Sequence, residues 1–269
     1  MIVWLTGASS GLGLHTAKAF VKAGHTVIAG ARSFREEKKD GMYCFPLDVT
    51  DEESIRSFTE NALRISGRVN CLVQCAGILM LGPCEETTLE EYAKVMNTDF
   101  LGMVRMNQAV LPLMRAQGNG KIIMFSSING LLGIPFQSAY TAAKHAVEGY
   151  AECLQMEVQP FGIQICLVEP GDHRSGSDAY RGHTSGMKEG SAYRKMFEKG
   201  TAKIHHDEQN GSDPDRLGNR VVHASERKHM PFRLRVASPD QHLAVVLHDL
   251  LPPFLNHLIL SSYYLGKKE

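Results

Sequence analysis

The chain has few of the features that mark a disulfide-stapled, metal-bound or membrane-embedded protein. Its six cysteines, at 44, 71, 75, 84, 153 and 166, are scattered through 269 residues with no CxxC pair and no zinc-finger spacing. They read as reduced thiols of a cytoplasmic protein rather than as a disulfide or zinc framework. Net charge is absent too: 29 Lys and Arg balance 29 Asp and Glu. Without a basic excess, nothing points to nucleic acid or to an anionic membrane surface. No stretch supplies the roughly 20 uninterrupted apolar residues of a membrane span. The nearest, from Leu243 to Leu265, is broken by His248, Asp249, two prolines and His257, and reads as a core-packing terminal segment. The opening MIVWLTGASSG lacks a basic leader, so it reads as a first strand and not as a signal peptide.

What is present is α/β patterning. At 43% hydrophobic, the chain can bury one sizeable core, and residues 1–269 are expected to form a single domain. Apolar or β-branched runs predict strands at Ile2–Leu5, Thr26–Ala31, Tyr43–Leu47, Cys71–Gln74, Lys121–Ser126 and Gln164–Val168, with a last one near Leu258–Leu260. Longer helical patterns lie at Gly13–Ala23, Glu52–Ser66, Leu89–Gln117 and Ser138–Gln159. Strand and helix alternating at this spacing predict a doubly wound parallel sheet with helices on both faces. The pattern fails over residues 176–235, which hold one plausible helix near Ser191–Lys203. A stretch that long without regular structure suggests a lid or insertion.

The most specific motif is WLTGASSGLGLHTAKAF, an apolar strand, a Gly-rich turn and an amphipathic helix. Gly7, Gly11 and Gly13 allow a tight turn, close approach of backbone to a pyrophosphate and close packing of helix on strand. Around them Ser9, Ser10 and Leu12 complete a loop whose free N–H groups face an anion at the positive end of the helix. The second strand should end near the adenosine ribose. There the chain has Ala31 and Arg32 and no acid. An Arg can hold a 2′-phosphate that an acid would repel, so the expected cofactor is NADP(H). Asp48 and Val49, after the third strand, are placed to meet the adenine, although Asp48 also suits a turn or helix cap.

Together these residues resemble the short-chain dehydrogenase/reductase family across roughly residues 1–175. The pieces are TGASSGLG from Thr6 to Gly13, Leu47-Asp48-Val49, Ala76-Gly77, Ser126-Ser127, Tyr140-Thr-Ala-Ala-Lys144 and Pro170-Gly171. The run from Gly120 to Gly171 is similar to the hydroxysteroid and retinol dehydrogenase branch. The resemblance implies a Rossmann-like sheet of about seven strands and a substrate lid after the sixth. It also implies a catalytic set of Ser127, Tyr140 and Lys144, with a fourth polar residue, usually Asn, three positions before Gly102. Here that position holds Asp99. Asn97 cannot replace it, because residues two apart on a helix point different ways. Two further departures are Gln74-Cys75, where the family usually has two Asn, and Ser175, where a Thr often holds the nicotinamide carboxamide.

Tyr140 and Lys144 stand four apart on a predicted helix, so they are neighbours. A free phenol titrates near pH 10, and an adjacent ammonium is expected to lower that toward a usable acid/base. Ser127 can donate to a carbonyl oxygen as charge develops on it. The expected reaction is hydride transfer between NADP(H) and a secondary alcohol/ketone pair or an aldehyde. The substrate is expected to be lipophilic, a steroid, retinoid or acyl chain, lined by Ile128, Leu131, Leu132, Ile134, Phe136, Tyr180 and Met187. Residues 176–235 hold twelve Lys and Arg against eight Asp and Glu. A mildly basic lid leaves open a 3-ketoacyl-thioester reductase, and the departures leave open an NADP(H)-binding sensor. His205, His206 and Asp207 lack a spaced third ligand, so no metal is expected. The long helices 89–117 and 138–159 resemble dimer faces, which suggests a homodimer or homotetramer.

Overall fold

The computed structural model describes residues 1–176 and 181–266. Strand β1 (Ile2–Thr6) runs through the middle of the molecule. Its alternate side chains enter different cores: Trp4 packs with Phe58, Leu72 and Met106 on one face, whereas Val3 and Leu5 pack with Phe20, Val27 and Val221 on the other. Helix α1 (Gly11–Lys22) returns the chain to β2 (Thr26–Ala31), β3 (Glu37–Lys39) and β4 (Met42–Pro46). Helix α2 (Glu52–Ser66) leads to β5 (Cys71–Gln74) and the short β6 (Met80–Leu81). Then come α3 (Leu89–Met96), α4 (Gly102–Gln117), β7 (Gly120–Phe125), α5 (Ser138–Val158) and β8 (Ile163–Pro170). The remainder comprises β9 (Gly182–His183), α6 (Arg194–Gln209), α7 (Pro214–Glu226), β10 (Arg233–Val236), α8 (Pro239–Leu250) and α9 (Pro253–Leu265).

The main sheet has eight strands in the order β10-β8-β7-β5-β1-β2-β4-β3, parallel throughout except for the β3–β4 pair. The added strand beyond the expected seven is the short antiparallel β3. Chain order runs outward from β1 in one direction and then restarts on its other side at β5. That switch point leaves a crevice beyond the carboxyl ends of β1 and β5, where ligands bind in open sheets of this kind.

Three expectations fail. The last strand lies at 233–236, not near Leu258–Leu260, which is inside α9. The apolar run 258–260 belongs to a helix begun by Pro253 at its first position. The true edge strand, RLRV, is half charged, and its arginines are matched by buried acids on its neighbours. Second, the helix expected over 89–117 is interrupted by a π turn at Asn97–Leu101. Third, residues 176–235 are not one lid. Pro214–Glu226 forms an amphipathic helix against α1, where Gly218 comes so close that a Cβ would meet His15 O at 2.9 Å, and 233–236 completes the sheet. The covering part ends before residue 213; in it β9 pairs with β6, and α6 starts and ends later than expected.

Among the described residues no helix is long and apolar enough to cross a membrane, and no three His, Cys, Asp or Glu are grouped to hold a metal.

Candidate active site

A cavity of about 550 Å³ opens at the switch point, a volume in the range of small-molecule sites. It gathers residues from both halves of the sheet. The glycine loop supplies Gly7, Ser9, Ser10, Gly11, Leu12 and Gly13; Arg32 comes from the end of β2, and Asp48 and Val49 follow β4. From the other half come Cys75, Ala76 and Gly77 after β5, Asp99 from the π turn, Ser127 after β7, and Tyr140 and Lys144 on α5. Pro170, Gly171 and Ser175 follow β8. Every predicted site residue therefore lines one space, although in sequence they span residues 7 to 175.

The loop fits a pyrophosphate. Gly7 takes φ +74°, and a Cβ there would lie 2.6 Å from Ala76 N; a Cβ on Gly13 would collide with Gly7 O. The N-cap Ser10 makes no side-chain cap hydrogen bond, and the first turn of α1 carries no acid. Its free N–H groups and positive end are left for an anion. Arg32 is exposed and makes no hydrogen bond or ion pair among the described residues. Asp48 is tied down: its Oδ1 accepts from Thr50 N at 2.9 Å and from Thr50 Oγ1 at 2.7 Å. Partial burial works against its carboxylate, but the Thr50 bonds and Arg32 hold its pKa below the ordinary value. The α2 cap is Asp51, not Asp48.

Around the triad, geometry is tight. Ser127 Oγ caps the short 3₁₀ turn at Ile128–Gly130, accepting from Asn129 N at 3.2 Å, and lies 3.5 Å from Pro170 O. Lys144 Nζ donates to Phe125 O at 2.9 Å, lies 3.4 Å from Asp99 Oδ2 and sits 5.2 Å from the Tyr140 ring centre. Asp99 is fully buried, and its Oδ1 accepts from Ile78 N at 2.7 Å. Asn97 accepts from the Arg105 guanidinium at 2.8 Å instead of facing Lys144. Gln74 turns away to Asn107 at 2.7 Å, whereas Cys75 lines the cavity.

The electrostatics correct one expectation. Burial pushes the Tyr140 phenol above its ordinary pKa; Lys144 and the Ser127 hydroxyl pull it back, while Asp99 and Glu208 push it further up. Burial works against the Lys144 ammonium, but Tyr140 and Asp99 outweigh it, so Lys144 titrates above an ordinary lysine. Burial also raises Asp99, against the pull of Lys144 and the Ile78 N–H.

Of the expected apolar wall, Ile128 and Ile134 line the cavity. Leu131 and Leu132 pack behind them with Ile204, Val245 and Tyr264; Phe136 stacks edge-on to Phe197 at 5.3 Å, with Met187 alongside. Tyr180 lies outside the described residues. The sequence reading missed Asp172, His173, Arg181, Ile204, Glu208 and Tyr264, all of which line the cavity, and the cavity role of Asp207. The acids lay in stretches singled out for other reasons, PGDHRS and KIHHDE. Tyr264 lies four residues past the strand expected near Leu258–Leu260, and the turns of α9 bring it to the cavity.

Residues 1–185 match the family described as short chain dehydrogenase. The chain is 38% identical to 3-ketodihydrosphingosine reductase of Bacteroides thetaiotaomicron over 98% of its length and 97% of that protein's. It is 35% identical to 17-beta-hydroxysteroid dehydrogenase type 1 of Homo sapiens over 63% of its length and 56% of that protein's. A short-chain dehydrogenase from Streptomyces avermitilis superposes with a TM-score of 0.78 at 32% identity, covering 93% of this chain and 95% of that one. With the glycine-loop crevice and the Ser, Tyr and Lys side chains in one cavity, the chain belongs to the short-chain dehydrogenase family, oxidoreductases of CH–OH and keto groups that bind a nicotinamide cofactor.

Proposed function

We propose that the protein is an NADP(H)-dependent reductase of a lipophilic ketone, with Tyr140 as proton donor. The observation that carries this reading is the meeting of Ser127, Tyr140 and Lys144 with the uncapped end of α1 in one cavity. Arg32, exposed at the end of β2 and in no ion pair among the described residues, is the basis for a 2′-phosphate. When bound, the reduced nicotinamide supplies the hydride to the carbonyl carbon. Ser127 Oγ donates to the carbonyl oxygen, and Tyr140 Oη delivers its proton to that oxygen as it becomes the alcohol. Lys144 stabilises the phenolate left behind until solvent returns a proton.

The substrate follows from the walls. Ile128, Ile134, Ile204 and Tyr264 give an apolar side. The corner under α6 is acidic, with Asp172, Asp207 and Glu208 against Arg181. That corner disfavours the phosphates of a thioester carrier and suits a polar end rich in hydrogen-bond donors or carrying an ammonium. A long-chain ketone such as 3-ketodihydrosphingosine meets both requirements. The free state of the six cysteines suits a reducing, cytoplasmic setting, and a homo-oligomer belongs to the same reading.

The test is NADPH consumption with 3-ketodihydrosphingosine, a 17-keto steroid and a 3-ketoacyl thioester side by side. The long-chain ketone is expected to turn over fastest. Tyr140→Phe should cut turnover by about a thousandfold or more while NADPH affinity stays within about twofold. Binding of NADPH with no turnover on any of the three would make the protein a sensor, and retained turnover in Tyr140→Phe would remove the assigned proton donor.

A further inference from the structure

We propose that Asp99 is a positioning residue: it shares the Lys144 ammonium with Tyr140, keeps the phenol protonated at neutral pH and so poises the site for carbonyl reduction over alcohol oxidation. The inference rests on Tyr140 being the proton donor.

The geometry carries it. Asp99 has no exposed surface, and the π turn at Asn97–Leu101 carries its carboxylate into the cavity wall. Turns of this kind insert one residue into a helix and recur at functional sites. One oxygen is fixed by the Ile78 N–H at 2.7 Å; the other points at Lys144 Nζ at 3.4 Å. Gly77 makes room for it, since a Cβ there would lie 2.9 Å from Asp99 Oδ2. The ammonium therefore stands between a carboxylate at 3.4 Å and a phenol ring centred 5.2 Å away, with Phe125 O on a third side at 2.9 Å. Coulomb attraction falls with distance, so the nearer carboxylate neutralises much of the field that would otherwise draw a proton off the phenol. An amide at residue 99 would leave that field whole.

The other groups facing the phenol do not duplicate this effect. Ser127 is neutral and lowers the phenol's pKa, and Cys75, just after β5, is half-buried, with desolvation pushing its thiol well up. Glu208 reaches across from α6, already paired with Arg181, and adds to the negative field. Among the acids, Asp99 alone is in contact with the lysine. Ketone reduction consumes the phenolic proton, whereas alcohol oxidation needs the phenolate to accept one. A site whose lysine is half-neutralised by a carboxylate therefore favours the first direction.

The test reads Tyr140 directly, without cofactor. Ultraviolet difference absorbance of the phenolate is titrated in wild type and in Asp99→Asn, with Tyr140→Phe subtracted to isolate one tyrosine. Asp99→Ser is the second variant; it keeps a hydroxyl near the Ile78 N–H without a charge. Both variants are expected to shift the Tyr140 midpoint to lower pH. In turnover, Asp99→Asn should lose roughly three- to tenfold in ketone reduction between about pH 7 and about pH 9, where wild type stays level, and should gain a similar factor in alcohol oxidation at about pH 7. A midpoint that stays put or rises in both variants overturns the proposal. If wild type turns over no substrate, the reductase reading falls, yet the titration still decides what Asp99 does to Tyr140.

Discussion

Arg32 lines the crevice beside the glycine loop, near enough to Asp48 to lower that carboxyl's pKa but not bonded to it. It is exposed, forms no hydrogen bond or ion pair among the described residues, and follows Ala31, the last residue of β2. A guanidinium in that position costs little to recruit, because no internal bond must break before it meets a 2′-phosphate. Arg32→Ala should weaken NADPH binding by roughly ten- to a hundredfold, the worth of a charge-assisted hydrogen bond or two, and leave NADH within about twofold. Equal losses in fluorescence titrations with the two cofactors would remove the 2′-phosphate from the account. Arg32, Gly7, Gly13, Tyr140 and Lys144 were singled out by spacing within local motifs, and all five line the cavity. The direction in which Tyr140 titrates was not legible in the sequence. It depends on burial first and then on Asp99 and Glu208, which come from two other parts of the chain, and no spacing encodes their distance from the phenol.

At the level of elements, charge decided what hydrophobic pattern could not. β10 is the edge strand most easily missed, since Arg233 and Arg235 occupy half of it. Arg233 pairs with Glu148, with Glu152 at 2.7 Å and with Glu169 at 2.8 Å; Arg235 also meets Glu169 at 2.8 Å. Glu169 is fully buried on β8 and Glu148 nearly so on α5, so the strand is held to sheet and helix by buried carboxylates whose arginine partners stay partly exposed. Removing Arg233 leaves the buried Glu148 carboxylate unmatched and Glu169 with Arg235 alone. Arg233→Met should lower stability by about 3 kcal/mol, seen as a lower urea midpoint at unchanged slope. A loss under about 1 kcal/mol would mean the cluster behaves as surface charge. The same logic explains α9. Its apolar run, 258–260, fits a strand or a helix equally well by periodicity, and Pro253 at the first helical position decides for the helix, bringing Tyr264 to the cavity.

For the molecule as a whole, balance in composition conceals imbalance in space. Residues 176–235 carry more Lys and Arg than Asp and Glu, yet the side turned to the cavity gathers Asp207 and Glu208 from α6 beside Asp172 after β8. Three carboxyls from two separate segments have been folded into one corner, and Asp172 bears the consequence. Burial, then Glu208 and Asp207, raise its pKa to about 7, against a hydrogen bond from Gln241 Nε2 at 2.6 Å and the pull of Arg181. A carboxyl with a raised pKa keeps its proton in the folded state at pH values where the unfolded chain has lost it. Between the ordinary carboxylate value and about 7 the folded state therefore binds more protons, and stability falls as pH rises through that window. The loss is complete above about 7 and amounts to at most about 4 kcal/mol. Asp172→Asn keeps an oxygen for Gln241 and removes the charge. It should raise the urea midpoint at about pH 8 and leave it nearly unchanged at about pH 3, where the wild-type carboxyl is largely protonated in both states. A variant less stable than wild type at about pH 8 would mean that the Asp172 carboxylate is held by favourable partners when ionised, and that the corner is not acidic in its net effect.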